Sequence, residues 1–248
     1  LASCDEIRTS VAAVAPALGV GFYLKQLGHI GVIDFKKGVV SDYDIPYPPL
    51  GRPLTMAASD DGRWVSLVDD AGKGVCLEVD WIQGERRHPV VASQVLFTCL
   101  LPEIENPAVC FACGHLWWQD GSGYLAFWKP GLPNIGQCTQ LRGELRSLCE
   151  ASDKVIALEV SGKESSIVVI DSDGTPRRQL ALPKRMERLC TYSKRGVSLL
   201  AFDGSTSILP SLSDELVNGP MIAGAIINMF PLMDGVYYET PTQCYFWS

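Results

Sequence analysis

The sequence predicts an all-β, antiparallel chain built from repeated four-stranded sheets, and two observations carry that reading. First, Leu54 to Trp81 holds three short apolar runs, Leu54–Ala58, Trp64–Val68 and Val75–Val79, parted by Ser-Asp-Asp-Gly and Asp-Asp-Ala-Gly-Lys. Apolar or β-branched runs of about five residues, punctuated by Gly and Asp, read as strands of a meander. Alternation within Trp64–Val68 is loose, so both faces of this sheet are expected to be covered. Second, the stretches ASDDGRWVSLV, ASDKVIALEV and YSKRGVSLLAF are variants of one turn-then-strand pattern placed far apart in the chain.

Taken in order, the first unit reads Val11–Ala15, Gly19–Lys25, His29–Phe35 and, after Lys36-Lys37-Gly38, Val39–Ile45. The second reads Leu54–Ala58, Trp64–Val68, Val75–Val79 and His88–Ala92; the third reads Leu96–Leu101, Val109–Trp118, Tyr124–Trp128 and Gln137–Leu141. The fourth holds Leu145–Glu150, Val155–Val160, Ser166–Ile170 and Arg178–Leu182, and the fifth Glu187–Tyr192, Val197–Phe202, Thr206–Leu209 and a weak strand near Glu215–Val217. The sixth holds Ala225–Phe230, Val236–Glu239 and Cys244–Trp247. Aligned second strands place Val20, Val65, Val109, Val155, Val197 and Val236 at spacings of 45, 44, 46, 42 and 39. A period of roughly 40 to 45 residues with four strands per unit is the signature of propeller blades.

Closure supplies the physical reason. One four-stranded sheet buries too little and leaves two open edges, whereas sheets packed face to face in a ring cover one another. The sixth unit lacks an outer strand and the segment Cys4–Thr9 has no unit of its own, so this N-terminal segment is expected to complete the last blade.

Composition narrows the function classes. The 248 residues are 47% hydrophobic, which argues for a packed core, here a single domain over 1–248. A net charge of −7 argues against a general nucleic-acid surface, which needs a dominant basic field. No run approaches the roughly 18 apolar residues of a membrane span. The chain starts without Met and is acidic where a signal peptide is basic, so it reads as a fragment of a longer protein. Nine cysteines, an odd number set mostly in apolar runs, point to buried thiols in an intracellular, reducing compartment, with disulfides as the alternative.

With its strand rhythm and turns, the chain resembles the β-propeller superfamily, in the broad manner of WD40-like and NHL-like repeats. It departs from the sharper marks of that group: no blade ends in Trp-Asp, and the Gly28-His29 dipeptide sits inside the first unit. The resemblance implies a rigid frame whose loops can display binding residues.

Few residues point to chemistry. Cys110-Phe-Ala-Cys113-Gly-His115 carries a zinc half-site spacing. Read as one strand, though, it sends 110 and 113 to opposite faces, and no second Cys-x₂-Cys follows. Structural cysteines are the better reading, and no metal or cofactor is expected. His29, His88 and His115 lack any nucleophile context, so no catalytic set is expected. Asp60, Asp61, Asp69, Asp70, Asp171 and Asp173 sit beside Gly turns, where carboxylates bond local N–H groups. Propeller lactonases hold a cation with channel-facing acids, which keeps a metal-dependent hydrolase as an alternative.

The large aromatics Trp81, Trp117, Trp118, Trp128 and Trp247 are candidates either for inter-blade packing or for contacts with a partner. Adjacent Trp117 and Trp118 must face opposite sides of a strand, so one is expected at an edge or loop. Basic residues crowd one third of the chain: Arg177, Arg178, Lys184, Arg185, Arg188, Lys194 and Arg195. Such a patch suits an acidic or phosphorylated peptide. The sequence therefore predicts a six-bladed, non-catalytic scaffold that binds another protein or peptide through Trp81, Trp118, Arg177, Arg178, Lys184, Arg185 and Arg188. A sugar-binding propeller stacking its ligand on Trp81 or Trp118 is a further alternative.

Overall fold

The computed structural model describes residues 11–26, 28–83, 88–99, 101, 107–192, 196–212, 215–222, 226, 228–232, 235–240 and 244–247. Every regular element among them is a β-strand. Blade 1 comprises β1 (Ala12–Ala15), β2 (Val20–Gln26), β3 (His29–Asp34) and β4 (Val39–Pro46); blade 2 comprises β5 (Pro53–Ala58), β6 (Trp64–Asp69), β7 (Lys73–Ile82) and β8 (His88–Thr98). Blade 3 holds β9 (Val109–Ala112), β10 (His115–Gln119), β11 (Tyr124–Trp128) and β12 (Ile135–Gln140). Blade 4 holds β13 (Glu144–Ala151), β14 (Lys154–Ser161), β15 (Glu164–Asp171) and β16 (Pro176–Ala181). Blade 5 holds β17 (Met186–Thr191), β18 (Val197–Ala201), β19 (Ser205–Leu209) and β20 (Val217–Met221). The last sheet has three strands, β21 (Asn228–Leu232), β22 (Gly235–Glu239) and β23 (Cys244–Trp247).

Each sheet is a simple antiparallel meander, and the first strands of successive sheets touch in chain order from β1 to β21. The expected six full blades are corrected to five, because the sixth sheet has three described strands. The closing role expected of Cys4–Thr9 falls on residues outside the described set.

The third unit also shifts. Leu96–Thr98 ends the long outer strand of blade 2, and Val109 opens the first strand of blade 3 rather than its second. The Cys110 to His115 stretch is thus a tight hairpin, with Cys113 and Gly114 both at positive φ (50° and 72°). Where blades 2, 4 and 5 pair their first and second strands, the register slips by one residue, at Leu54, Arg146 and Glu187. A bulge at the same place in three blades turns one side chain of the first strand outward.

Burial between sheets explains the loose alternation. Trp117 (0% exposed) and Trp118 (2%) point to opposite faces of blade 3, and both are buried. Trp117 packs with Leu145, Val155 and Val168 of blade 4; Trp118 packs with Val68 and Cys76 of blade 2. The expectation of one exposed Trp in this pair is corrected, because neighbouring blades cover both faces of blade 3. Burying two such rings removes about 150–250 Å² each from water. The Trp117 ring also stacks on Phe127 at 4.7 Å and donates from Nε1 to the Ala112 carbonyl at 3.0 Å.

Candidate partner-docking surface

In a ring of meanders, the loops entering each blade share one face with the second-to-third strand turns. Contacts bear this out: Cys99 N donates to Gly72 O, Leu141 N to Gly123 O and Ile222 N to Gly204 O. This entry face is held from below by buried polar groups at the ends of second strands. Asp69 (1% exposed) accepts from Gly51 N at 2.8 Å, Ala71 N at 2.9 Å and Lys73 N at 2.8 Å. Gln119 (7%) donates to Gly143 O and accepts from Leu145 N, both at 2.9 Å, and Glu159 (4%) accepts from Arg142 N at 2.9 Å. Each of these side chains replaces water for backbone groups in the entry loops or at the strand ends beside them, which makes the loops a defined surface.

The predicted binding residues do not form one patch. Trp118 is inside the blade 2–blade 3 core, where no partner reaches it. Trp81 ends β7 on the opposite face, half-buried; its Nε1 donates to Gly62 O at 3.0 Å, and its ring tilts against Phe22 at 6.1 Å. Arg177 and Arg178 are exposed on β16, also toward that face. Arg177 pairs with Asp171, which also holds Lys154 at 2.7 Å, and these two cations pull the Asp171 carboxyl below its usual range. Arg178 donates to Leu212 O at 3.0 Å across to blade 5.

Lys184 and Arg185 lie on the entry face. Lys184 bonds Ser205 and lies 3.7 Å from Asp203; Arg185 bonds Glu187 at 2.6 Å and Gly162 O at 3.0 Å. Arg188 stands on β17 beside the bulge. It is solvent-accessible, yet crowding by its surroundings lowers its pKa against the opposing pull of Glu187. Lys194 and Arg195 lie outside the described residues.

Two clefts open between blades, and the sequence reading missed both. One, of about 250 Å³, lies between β12 and β16 and is lined by Thr139, Gln140, Arg142, Glu159, Arg177 and Gln179, among others. The other, of about 440 Å³, lies between β8 and the 129–134 loop and is apolar, with Leu96, Leu132 and Ile135 exposed. A signal for the first existed: Glu159 is an acid inside the apolar run Val155–Val160, where a charge needs a partner.

Asp61 and Asp173 act locally: Asp61 accepts from Arg63 N at 3.0 Å and Ser59 Oγ at 2.6 Å, and Asp173 from Thr175 N at 2.9 Å. Asp60 instead reaches across to blade 1, accepting from Ala17 N at 3.2 Å. His115 Nδ1 lies 2.9 Å from Cys113 O, and His88 stacks on Tyr43 at 4.8 Å. No group of three His, Cys, Asp or Glu side chains suited to a metal is found among the described residues. Cys76, Cys99, Cys110, Cys113, Cys138, Cys149 and Cys190 are free thiols. Burial pushes Cys76, Cys99, Cys110 and Cys113 up to about 12. No helix among the described residues is long and apolar enough to cross a membrane.

No family model matches the chain, and no curated protein matches it. Solved structures do. U3-55K and the RRP9 WD40 repeats each superpose with a TM-score of 0.65 at 14% identity, over 96% of this chain and 76% of theirs. Raptor from Chaetomium thermophilum superposes at 0.62 with 11% identity, over 93% of this chain and 23% of that one. The Dos1 propeller does so at 0.54 with 13% identity, over 92% and 63%. At such identities the likeness concerns fold, and the fold is that of a β-propeller.

Proposed function

We propose that this chain is a non-catalytic scaffold propeller that docks another protein or peptide, with an acidic or phosphorylated segment as the preferred ligand. The observation that carries the reading is the set of exposed arginines of blade 4, Arg142 before β13 and Arg177 and Arg178 on β16, on strands fixed by neighbouring blades. Rigid sheets fix the backbone beneath such side chains, so binding orders the side chains alone, which favours recognition over loose attraction. The similar WD40 propellers support a frame of this kind. Free, buried thiols support a reducing, intracellular setting.

Affinity capture from source lysate tests the proposal, using the full chain beside an Arg177→Glu/Arg178→Glu variant. A partner retained by the first and lost by the second, with retention falling as salt rises, is expected. An empty capture joined to hydrolase activity of the purified chain would reverse the reading. Ring closure by the N-terminal segment remains part of this proposal: deleting residues 1–9 is expected to lower the thermal midpoint sharply, and an unchanged midpoint refutes it.

A further inference from the structure

The cleft between blades 3 and 4 adds a specific chemistry, and this inference rests on the docking reading above. Its walls are the outer strands of two adjacent blades, and its volume of about 250 Å³ suits one polar side chain of an extended peptide rather than a large ligand. One wall contributes Thr139, Gln140 and Arg142, and the other contributes Arg177 and Gln179. Arg142 is exposed, and among the described residues its guanidinium has no hydrogen-bond or ion-pair partner. Its backbone N–H, in contrast, is held by the buried Glu159 carboxylate at 2.9 Å. The main chain is thus fixed while the cationic group stays available.

Across the cleft, Arg177 shares Asp171 with Lys154, so that trio keeps one net positive charge. Gln179 donates to Ser166 Oγ at 3.0 Å, which sets its amide in place. Arg178 lines the cleft but sends its guanidinium to Leu212 O, on the blade 5 side. Among the residues lining the cleft, Arg142, Arg177 and Arg178 outnumber Glu159, a local positive excess on a chain of net −7, with Asp171 and Asp173 beside Arg177 at its rim.

We propose that this cleft receives a phosphorylated side chain from an extended segment of a partner protein, with its phosphoryl oxygens meeting Arg142 and Arg177. Donors stand on two opposing walls: the Arg142 guanidinium on one, and the Arg177 guanidinium with the Gln179 amide on the other. A planar carboxylate offers two oxygens to one guanidinium. A phosphoryl group offers three, with a charge of about −1.5 to −2, and spans both walls. Charge complementarity thus selects phosphate over carboxylate.

The test probes the full chain against an array of degenerate peptides centred on phosphoserine or phosphothreonine, each beside its unphosphorylated twin. Affinities of the best pair follow by fluorescence anisotropy. A preference of about ten-fold or more for the phosphorylated member is expected. Arg142→Glu should erase it, whereas Lys163→Glu, on the exposed β14–β15 turn, should leave it intact. Equal binding of twins, equal loss in both variants, or binding of inorganic phosphate alone as tight as the peptide each overturns the proposal. A silent array with partner capture that survives Arg142→Glu removes the cleft assignment and leaves the docking reading standing; a silent array with empty capture removes both.

Discussion

Replacing Asp69 by Ala should destabilise the protein through the loops it organises. The side chain is 1% exposed and accepts three backbone N–H bonds, two on Oδ1 from Ala71 and Lys73 and one on Oδ2 from Gly51. A hydrogen bond to a charged acceptor contributes about 1.5–3 kcal/mol net. Gly51 and Ala71 lie in exposed turns and Lys73 is the exposed first residue of β7, so water recovers part of that loss. The expected cost is therefore about 2–3 kcal/mol rather than three full bonds. For a chain of this size it corresponds to a fall of roughly 5–10 °C in thermal midpoint. Asp69→Asn keeps the Oδ1 acceptor but turns an amide toward Gly51 N, and should fall about halfway. Circular dichroism melts of the three proteins measure the order, and hydrogen exchange of the Gly51, Ala71 and Lys73 amides locates the effect. An alanine variant that melts within a degree or so of the parent, with those amides still protected, would refute the account of how the entry face is held.

Further outcomes follow from the buried groups. With thiols pushed up to about 12, Cys76, Cys99, Cys110 and Cys113 should be ionised to about one part in ten thousand at pH 8. Native protein should therefore resist iodoacetamide at the buried Cys76 and Cys99 and label readily there in urea, and rapid native labelling of either by mass spectrometry would contradict their burial. The same groups make stability fall with alkali. Their folded values lie above the unfolded ones, so the stabilisation is complete below about pH 8.5–9 and is lost as pH climbs toward 12. Urea midpoints from neutral to about pH 11 should decline accordingly. Tyr238, raised to about 12 chiefly by burial, adds to that decline above pH 10. Tyr238→Phe breaks the buried 2.8 Å bond with Ser198, should cost about 1–2 kcal/mol in urea unfolding, and should flatten the highest part of the alkaline profile.

What could be read from residue order was the repeat, and what escaped it was the third dimension of that repeat. Turn chemistry is local: Asp61, Asp173 and the Gly-bearing turns mark strand ends because their side chains bond amides two residues away. Blade 3 was misphased because Leu96 to Thr98 carries no charge or turn residue separating it from blade 2, and because the Cys113-Gly114 turn lacks the Asn or Asp that announces other hairpins. The binding surface was less legible still. Arg177 and Lys184 are seven positions apart in the chain, yet they sit toward opposite faces of the ring because β16 carries the chain from one face to the other. Arg142 and Arg177 are far apart in the chain and line one cleft.

Proximity in sequence is therefore a poor guide to a shared surface in this architecture, and blade geometry says which pairs do meet. Every strand reverses direction, so basic residues cluster in space only when they occupy the same loop class or facing outer strands. Lys184 and Arg185 satisfy the first condition, but their charges are met by Asp203 and Glu187. Arg177 on β16 meets the second against the wall that β12 and the loop to Arg142 form, and among the described residues the Arg142 guanidinium has no ion-pair partner. Charge compensation, rather than charge density along the chain, is what separates a surface arginine that stabilises its own fold from one able to hold a partner's anion.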